Sequence, residues 1–270
     1  MEQVSLSDLR AQFPDDRFLA YDIDADRVVR CAVSDAAWSI RGRSAYWSAD
    51  WVTIWSHAAT AAQVSSDLEQ HFTWQTSVGD AASVRGITCN EVVALPTQRG
   101  IEAANDWSWF WTDATRAQVG TVDDVVEVDH HDARLLALLS HSPTASHERD
   151  GQRPAKWFGI EQAGELLSVA AVKPVAGCYD IQSVVTHTDA RGRGLSTRVC
   201  SHATAWALQC VPLVALGMMS DNTVAERMYT GLGFLCEKRW QSARFALATS
   251  GSPQPSEVSA ACGEVMCGDD

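Results

Sequence analysis

One stretch constrains this chain more than any other: a strand candidate, a glycine-rich turn and an amphipathic helix in immediate succession. Tyr179-Asp180-Ile181-Gln182-Ser183-Val184-Val185 reads as a strand, and Thr186–Ala190 is a short loop. Arg191-Gly192-Arg193-Gly194-Leu195-Ser196 follows, and helical periodicity runs from Leu195 to about Gln209. Strand, turn and helix in one unit belong to an α/β or α+β fold. The turn suits an anion. Glycines let the backbone approach a phosphate, and the first helical N–H groups lack internal partners. The helix dipole and two arginines add positive charge. An ordinary strand–helix turn with solvated arginines would use the same residues, so the turn alone does not decide. No GKS or GKT ends it, which excludes the nucleotide P-loop, and Thr197 stands where a dinucleotide fingerprint needs a third small residue.

The residues downstream decide. Val211–Leu216 is a second strand candidate. It precedes Asp221-Asn222-Thr223-Val224-Ala225-Glu226-Arg227-Met228-Tyr229 and Leu232-Gly233-Phe234, a spacing of N-x-x-A-x-x-x-Y-x-x-L-G-F. A helix starts after Asp221 or Asn222, both good caps, and stops near Gly231. Ala225 and Tyr229 share one face of it.

These two segments resemble the GNAT superfamily of acyl-CoA-dependent N-acyltransferases. Arg191, Gly194 and Ser196 occupy the three positions of the family loop Q/R-x-x-G-x-G/A, with Ser196 departing from the usual Gly or Ala. Asn222, Ala225, Tyr229 and Leu232-Gly233-Phe234 match its second signature. The resemblance spans about 122–245 and is close over 179–234. It implies a mixed twisted sheet with a splayed central strand pair, flanked by helices. It also implies transfer of an acetyl group from acetyl-CoA to a primary amine of a small molecule or peptide. The backbone at Val184 and Val185 would pair with the pantetheine arm. N–H groups of Arg193, Gly194, Leu195 and Ser196 would hold the pyrophosphate, with Arg191 beside them. Asn222 would lie next to the pantetheine. The Tyr229 hydroxyl would act as general acid on the thioester sulfur, and an N–H near Val185 would face the oxyanion. Where relatives place a basic Glu, this chain has Tyr179. Asp180, His187 and Glu161 are the candidate bases, and a water chain is the alternative. His130, His131, His141 and His147 fall where the family borders its acceptor site.

The first half is rich in tryptophan and lacks such a loop. Strands are expected at Arg17–Ile23, Arg27–Val33, Ala36–Ile40 and Trp51–Trp55, and a helix over Ala58–Phe72. Trp107, Trp109 and Trp111 alternate onto one face of a last strand, as core or as an aromatic wall of the acceptor cleft. This order suits a degenerate copy of the same fold, as in two-part relatives. The expected division is a segment 1–16, a Trp-rich GNAT-like half 17–115, a catalytic domain 116–247 and a disordered acidic tail 248–270. In the second half Val125–Val128 is a strand, Asp129 or His130 caps a helix through Ser140, and Lys156–Ile160 with Glu165–Val175 forms a hairpin.

Composition limits the partners. The net charge of −13 disfavours nucleic acid and anionic membranes and suits a cationic amine. The start Met1-Glu2-Gln3 has no basic-then-apolar pattern, and no apolar run reaches the ~20 residues of a membrane helix. The eight cysteines show no metal spacing, so no metal is expected, and a reduced, cytoplasmic protein is. Neither the amine nor a homodimer is specified. The competing readings are a non-catalytic acyl-CoA sensor or scaffold, and an enzyme using another acyl donor such as an aminoacyl-tRNA.

Overall fold

The computed structural model describes residues 1–43, 49–77, 83–91, 101–147 and 154–245; the expected tail at 248–270 lies outside them. The first half runs β1 (Glu2–Val4), α1 (Leu6–Gln12), β2 (Val28–Val33), β3 (Ala37–Arg43), β4 (Asp50–Ser56), α2 (Ala61–Ser77), β5 (Val84–Asn90) and β6 (Ile101–Asp113). The second runs β7 (Val125–Val128), α3 (Ala133–Leu139), β8 (Lys156–Gln162), β9 (Glu165–Val175), β10 (Cys178–Thr186), α4 (Leu195–Ala207), β11 (Leu213–Met219), α5 (Thr223–Gly231) and β12 (Leu235–Phe245).

These strands form one sheet, ordered β1-β2-β3-β4-β5-β12-β6-β11-β10-β9-β8-β7. The order is a palindrome of the two halves: each contributes five strands in sequence, and each sends its last strand across to pair with the other's fifth. The directions obey the same symmetry. The only parallel neighbours among the described strands are β4 with β5 and β10 with β11, each pair joined through a helix. The chain is thus two copies of one α/β unit with exchanged terminal strands. A cut at 115/116 severs the covalent chain between the copies but not the sheet, because β6 lies between β11 and β12 along ladders of seven or more residues.

Alternate side chains send the middle strands into two cores. Phe110, Ile181, Val214 and Leu216 pack with α4 and α5 on one face. Trp109, Trp111, Leu213, Ala215 and Cys178 pack on the other with Leu9, Phe18 and Leu19. Of the expected tryptophan stripe, Trp109 and Trp111 are core, and Trp107 is half-buried beside them.

Two local expectations are corrected. Arg17–Ile23 is not a strand: Phe18–Asp22 is a π-type helical turn, because Asp16 accepts from the Leu19 amide at 3.0 Å. Within the segment 1–16 two elements form. Ser5 caps α1 through the Asp8 amide at 3.1 Å, and β1 pairs with β2. The cap of α3 is Asp132, which accepts from Arg134 N, while Asp129 closes the preceding turn onto His131 N. The β8–β9 hairpin forms as expected, with Ala163 and Gly164 both at positive φ. No helix among the described residues is long and apolar enough to cross a membrane.

Candidate active site

The site begins where two parallel strands part. β10 and β11 pair only at Tyr179↔Val214 and Asp180↔Ala215. Beyond Asp180 the strands diverge, as the splayed pair expected from sequence requires. A bulge between Gln182 and Val185 bends β10, with Ser183 at φ 48°. The Ser183 hydroxyl holds the bent backbone to Ser146, donating to its carbonyl at 2.8 Å and accepting from its amide at 3.0 Å. Bulges of this kind re-aim a strand next to a site. The opening leads into a cavity of about 1760 Å³.

Val184, Val185, Arg191, Gly194, Leu195, Ser196, Asn222 and Tyr229 all line that cavity. Gly192 and Gly194 sit at φ 73° and 70°, and a Cβ at either would meet nothing within 4 Å. Glycine is therefore required there by backbone conformation and not by crowding. Gly194 is the N-cap of α4, and no side chain caps the helix, so its first N–H groups are open to the cavity. Those groups and Arg191 fit a pyrophosphate. The Arg193 side chain is turned away, its guanidinium donating to Gln162 Oε1 at 2.8 Å, and of this residue only the backbone N–H remains as the expected phosphate contact.

Asn222 caps α5, its Oδ1 accepting from Ala225 N at 3.0 Å. Tyr229, on the inner face of α5, is 6% exposed and packs edge-on against Phe234. Its hydroxyl neighbours the thiol of Cys200 on α4. Burial first, and that thiol second, hold the Tyr229 hydroxyl well above the ordinary phenol range, while burial pushes Cys200 up to about 12. The Leu-Gly-Phe segment has a packing role. Gly233, at φ 88°, lies where a Cβ would come within 2.3 Å of the Arg116 carbonyl.

The candidate bases separate. Glu161 is bound to Arg134 at 2.8 Å and does not line the cavity. His187 caps a short helical turn through Asp189 N and does not line it either. Tyr179 stacks on Trp206 of α4 at 5.8 Å. Asp180 does line the cavity, at the fork of the splay. Of the four histidines, only His141 borders the space; His130 and His147 stack on each other at 3.9 Å.

Asp180 has a neighbour that the sequence did not single out. Asp22, at the end of the helical turn of the first half, brings a carboxylate oxygen within 4.8 Å of Asp180 and of the Cys178 sulfur. Burial and the charge of Asp180 push the Asp22 carboxyl well above the usual range, against an opposing hydrogen bond from Trp109 Nε1 at 3.3 Å. Burial and the two carboxylates likewise raise the Cys178 thiol. Lys173, buried at 3%, faces Asp180 across the β9–β10 ladder.

Comparison with known proteins bears on residues 123–234, which match the acetyltransferase (GNAT) family model. Comparison with curated proteins gives no match. Among solved structures, a GNAT-family protein from Novosphingobium aromaticivorans is 20% identical, with 83% of this chain and 93% of that one aligned at a TM-score of 0.52. A GNAT-family acetyltransferase from Colwellia psychrerythraea is 14% identical, with 91% and 99% aligned at 0.50. At these identities the structures speak for the fold, and both alignments extend across most of the two halves. The splayed pair, the open helix N-terminus and the family match coincide in residues 123–234, which form an acetyltransferase domain of the GNAT family, a family that transfers acyl groups from acyl-CoA.

Proposed function

We propose that the chain transfers an acetyl group from acetyl-CoA to a primary amine, with the reaction at the fork between β10 and β11. The carrying observation is that one cavity joins the uncapped N-terminus of α4, the unpaired edge of β10 and Tyr229. In this reading the pyrophosphate rests on the amides of Gly194, Leu195 and Ser196 beside Arg191. The pantetheine pairs with β10 at Val184 and Val185, in place of the strand that β11 ceases to be, and passes Asn222.

The neutral amine attacks the thioester carbonyl. Its nitrogen forms the C–N bond, and the carbonyl oxygen takes the negative charge in front of the Val185 amide. Collapse breaks the C–S bond, and Tyr229 delivers its proton to the thiolate. The Tyr229 hydroxyl is protonated at neutral pH, as a proton donor must be. The proton lost by the amine passes to Asp180 or to water. Asp180 and Tyr229 belong to opposite faces of the sheet, so amine and thioester would meet through the gap between the strands.

Tyr229→Phe should lower kcat by about 100-fold or more, as loss of a general acid does, with acetyl-CoA affinity retained. Full turnover across pH would remove Tyr229 from the mechanism. Arg191→Glu should weaken acetyl-CoA binding by about 2 kcal/mol; no change would remove the phosphate assignment. A non-catalytic acyl-CoA sensor is the second reading, favoured by the burial of Tyr229 within the core. Tight coenzyme binding with no thiol release across grouped amines would establish it.

A further inference from the structure

The cavity does not end at the coenzyme cleft. It continues across β11 and β6 onto the sheet face of the first half, where Trp51, Thr53, Thr88, Trp107 and Ser242 line it. This floor is built. The indole of Trp51 lies on Gly86, where a Cβ would meet the ring at 2.1 Å. The indole of Trp107 lies beside Gly217, where a Cβ would sit 3.5 Å from the ring. Both polar edges are satisfied within the floor: Trp51 Nε1 donates to Thr88 Oγ1 at 2.9 Å, and Trp107 Nε1 to Ser242 Oγ at 2.7 Å. The two hydroxyls share a hydrogen bond of 2.7 Å. The network holds two aromatic rings beside the cavity and leaves their faces no polar demand, which suits a flat apolar body.

At the junction with the cleft the character changes. Trp109, next on the same face of β6, donates to Asp22, and Asp22 meets Asp180 at the fork. Asp22 and Asp180 meet here with only the Lys173 ammonium opposite Asp180, and a second ammonium at the pair would favour ionisation of both carboxyls. Resting on the acetyltransferase reading, we infer that the first half is the acceptor-binding half, and that the acceptor is a primary amine on an aromatic or fused-ring body. Its ammonium lies at Asp22 and Asp180, and its ring lies on the Trp51–Trp107 floor. This gives the half without a phosphate loop a function, and explains why Asp22 must come from it.

Equilibrium calorimetry on the full chain tests this without requiring turnover. The probes are tryptamine, n-butylamine (the cation without the ring) and indole-3-ethanol (the ring without the cation), with acetyl-CoA titrated separately. Tryptamine should bind at least tenfold more tightly than either. Asp22→Asn should erase its advantage over indole-3-ethanol, and Trp51→Leu its advantage over n-butylamine. Thr53→Arg, which places a long cationic side chain on the floor beside Trp51, should abolish tryptamine binding if Trp51→Leu does not fold. Equal binding of n-butylamine and tryptamine, or discrimination that survives Asp22→Asn, overturns the inference. A protein that binds tryptamine as described but not acetyl-CoA refutes the acetyltransferase reading alone.

Discussion

Lys238 tests whether the two halves are one folding unit. It projects from β12, the strand that the second half lends to the first, and its Nζ donates to Asp16 Oδ2 at 2.8 Å. The side chains are 3% and 1% exposed. Asp16 also accepts from Trp38 Nε1 at 2.9 Å and Leu19 N at 3.0 Å, and the ammonium lies 4.2 Å from the Trp55 ring. Lys238→Met keeps the stem and removes the charge, leaving a buried carboxylate with two neutral donors. Breaking a buried pair from one side costs about 3–5 kcal/mol, a large share of the roughly 5–15 kcal/mol that holds a typical domain. Asp16→Asn strands the ammonium and should cost a similar amount. Asp16→Leu with Lys238→Met removes both charges and should cost far less than the sum of the single losses. Urea unfolding followed by tryptophan fluorescence measures all three. At pH 8 the His57 imidazole, 3.9 Å from Asp16, is neutral and cannot replace the lysine, because burial lowers its pKa from 6.5. Because β6 and β12 are exchanged, wild type and variants should unfold in one transition. Single losses under about 1 kcal/mol, a strictly additive double variant or a two-step transition would each refute the reasoning.

Two further outcomes follow from buried groups. His71 is fully buried between Ser34 and Ser39, and burial lowers its pKa from 6.5 to about 4. Between those values the unfolded chain binds the extra proton, so the contribution is complete above pH 6.5 and lost as pH falls toward 4, about 3 kcal/mol in all. Urea midpoints across that range should fall steeply in wild type and less in His71→Gln; equal slopes would rule out His71 as the cause. Gly233→Ala should lower stability by about 2 kcal/mol or more, from the positive φ and the contact with the Arg116 carbonyl, and thermal unfolding would read it. An unchanged melting temperature would mean that the turn is not held as described.

The motifs were legible because their chemistry is contiguous. Gly194 with its uncapped helix, Asn222 as a cap and Tyr229 one helical turn beyond Ala225 are relations among near neighbours, set by backbone conformation and helical period. The same locality explains the errors. Arg17–Ile23 alternates enough to suggest a strand, yet a single carboxylate, Asp16, turns it into a helical cap.

By itself the sequence specified a strand–turn–helix unit whose helix start suits an anion, its resemblance to the GNAT superfamily implied a splayed strand pair with Tyr229 near it, and the order of elements suggested a second, degenerate copy before them. Only the tertiary structure decided that the copies exchange their last strands, that Asp22 of one half faces Asp180 of the other, and that Glu161 is spent on Arg134. The reason is physical. Strand order and carboxylate proximity arise from pairings between distant segments, which no local periodicity encodes, whereas a turn and its helix carry their geometry in adjacent residues.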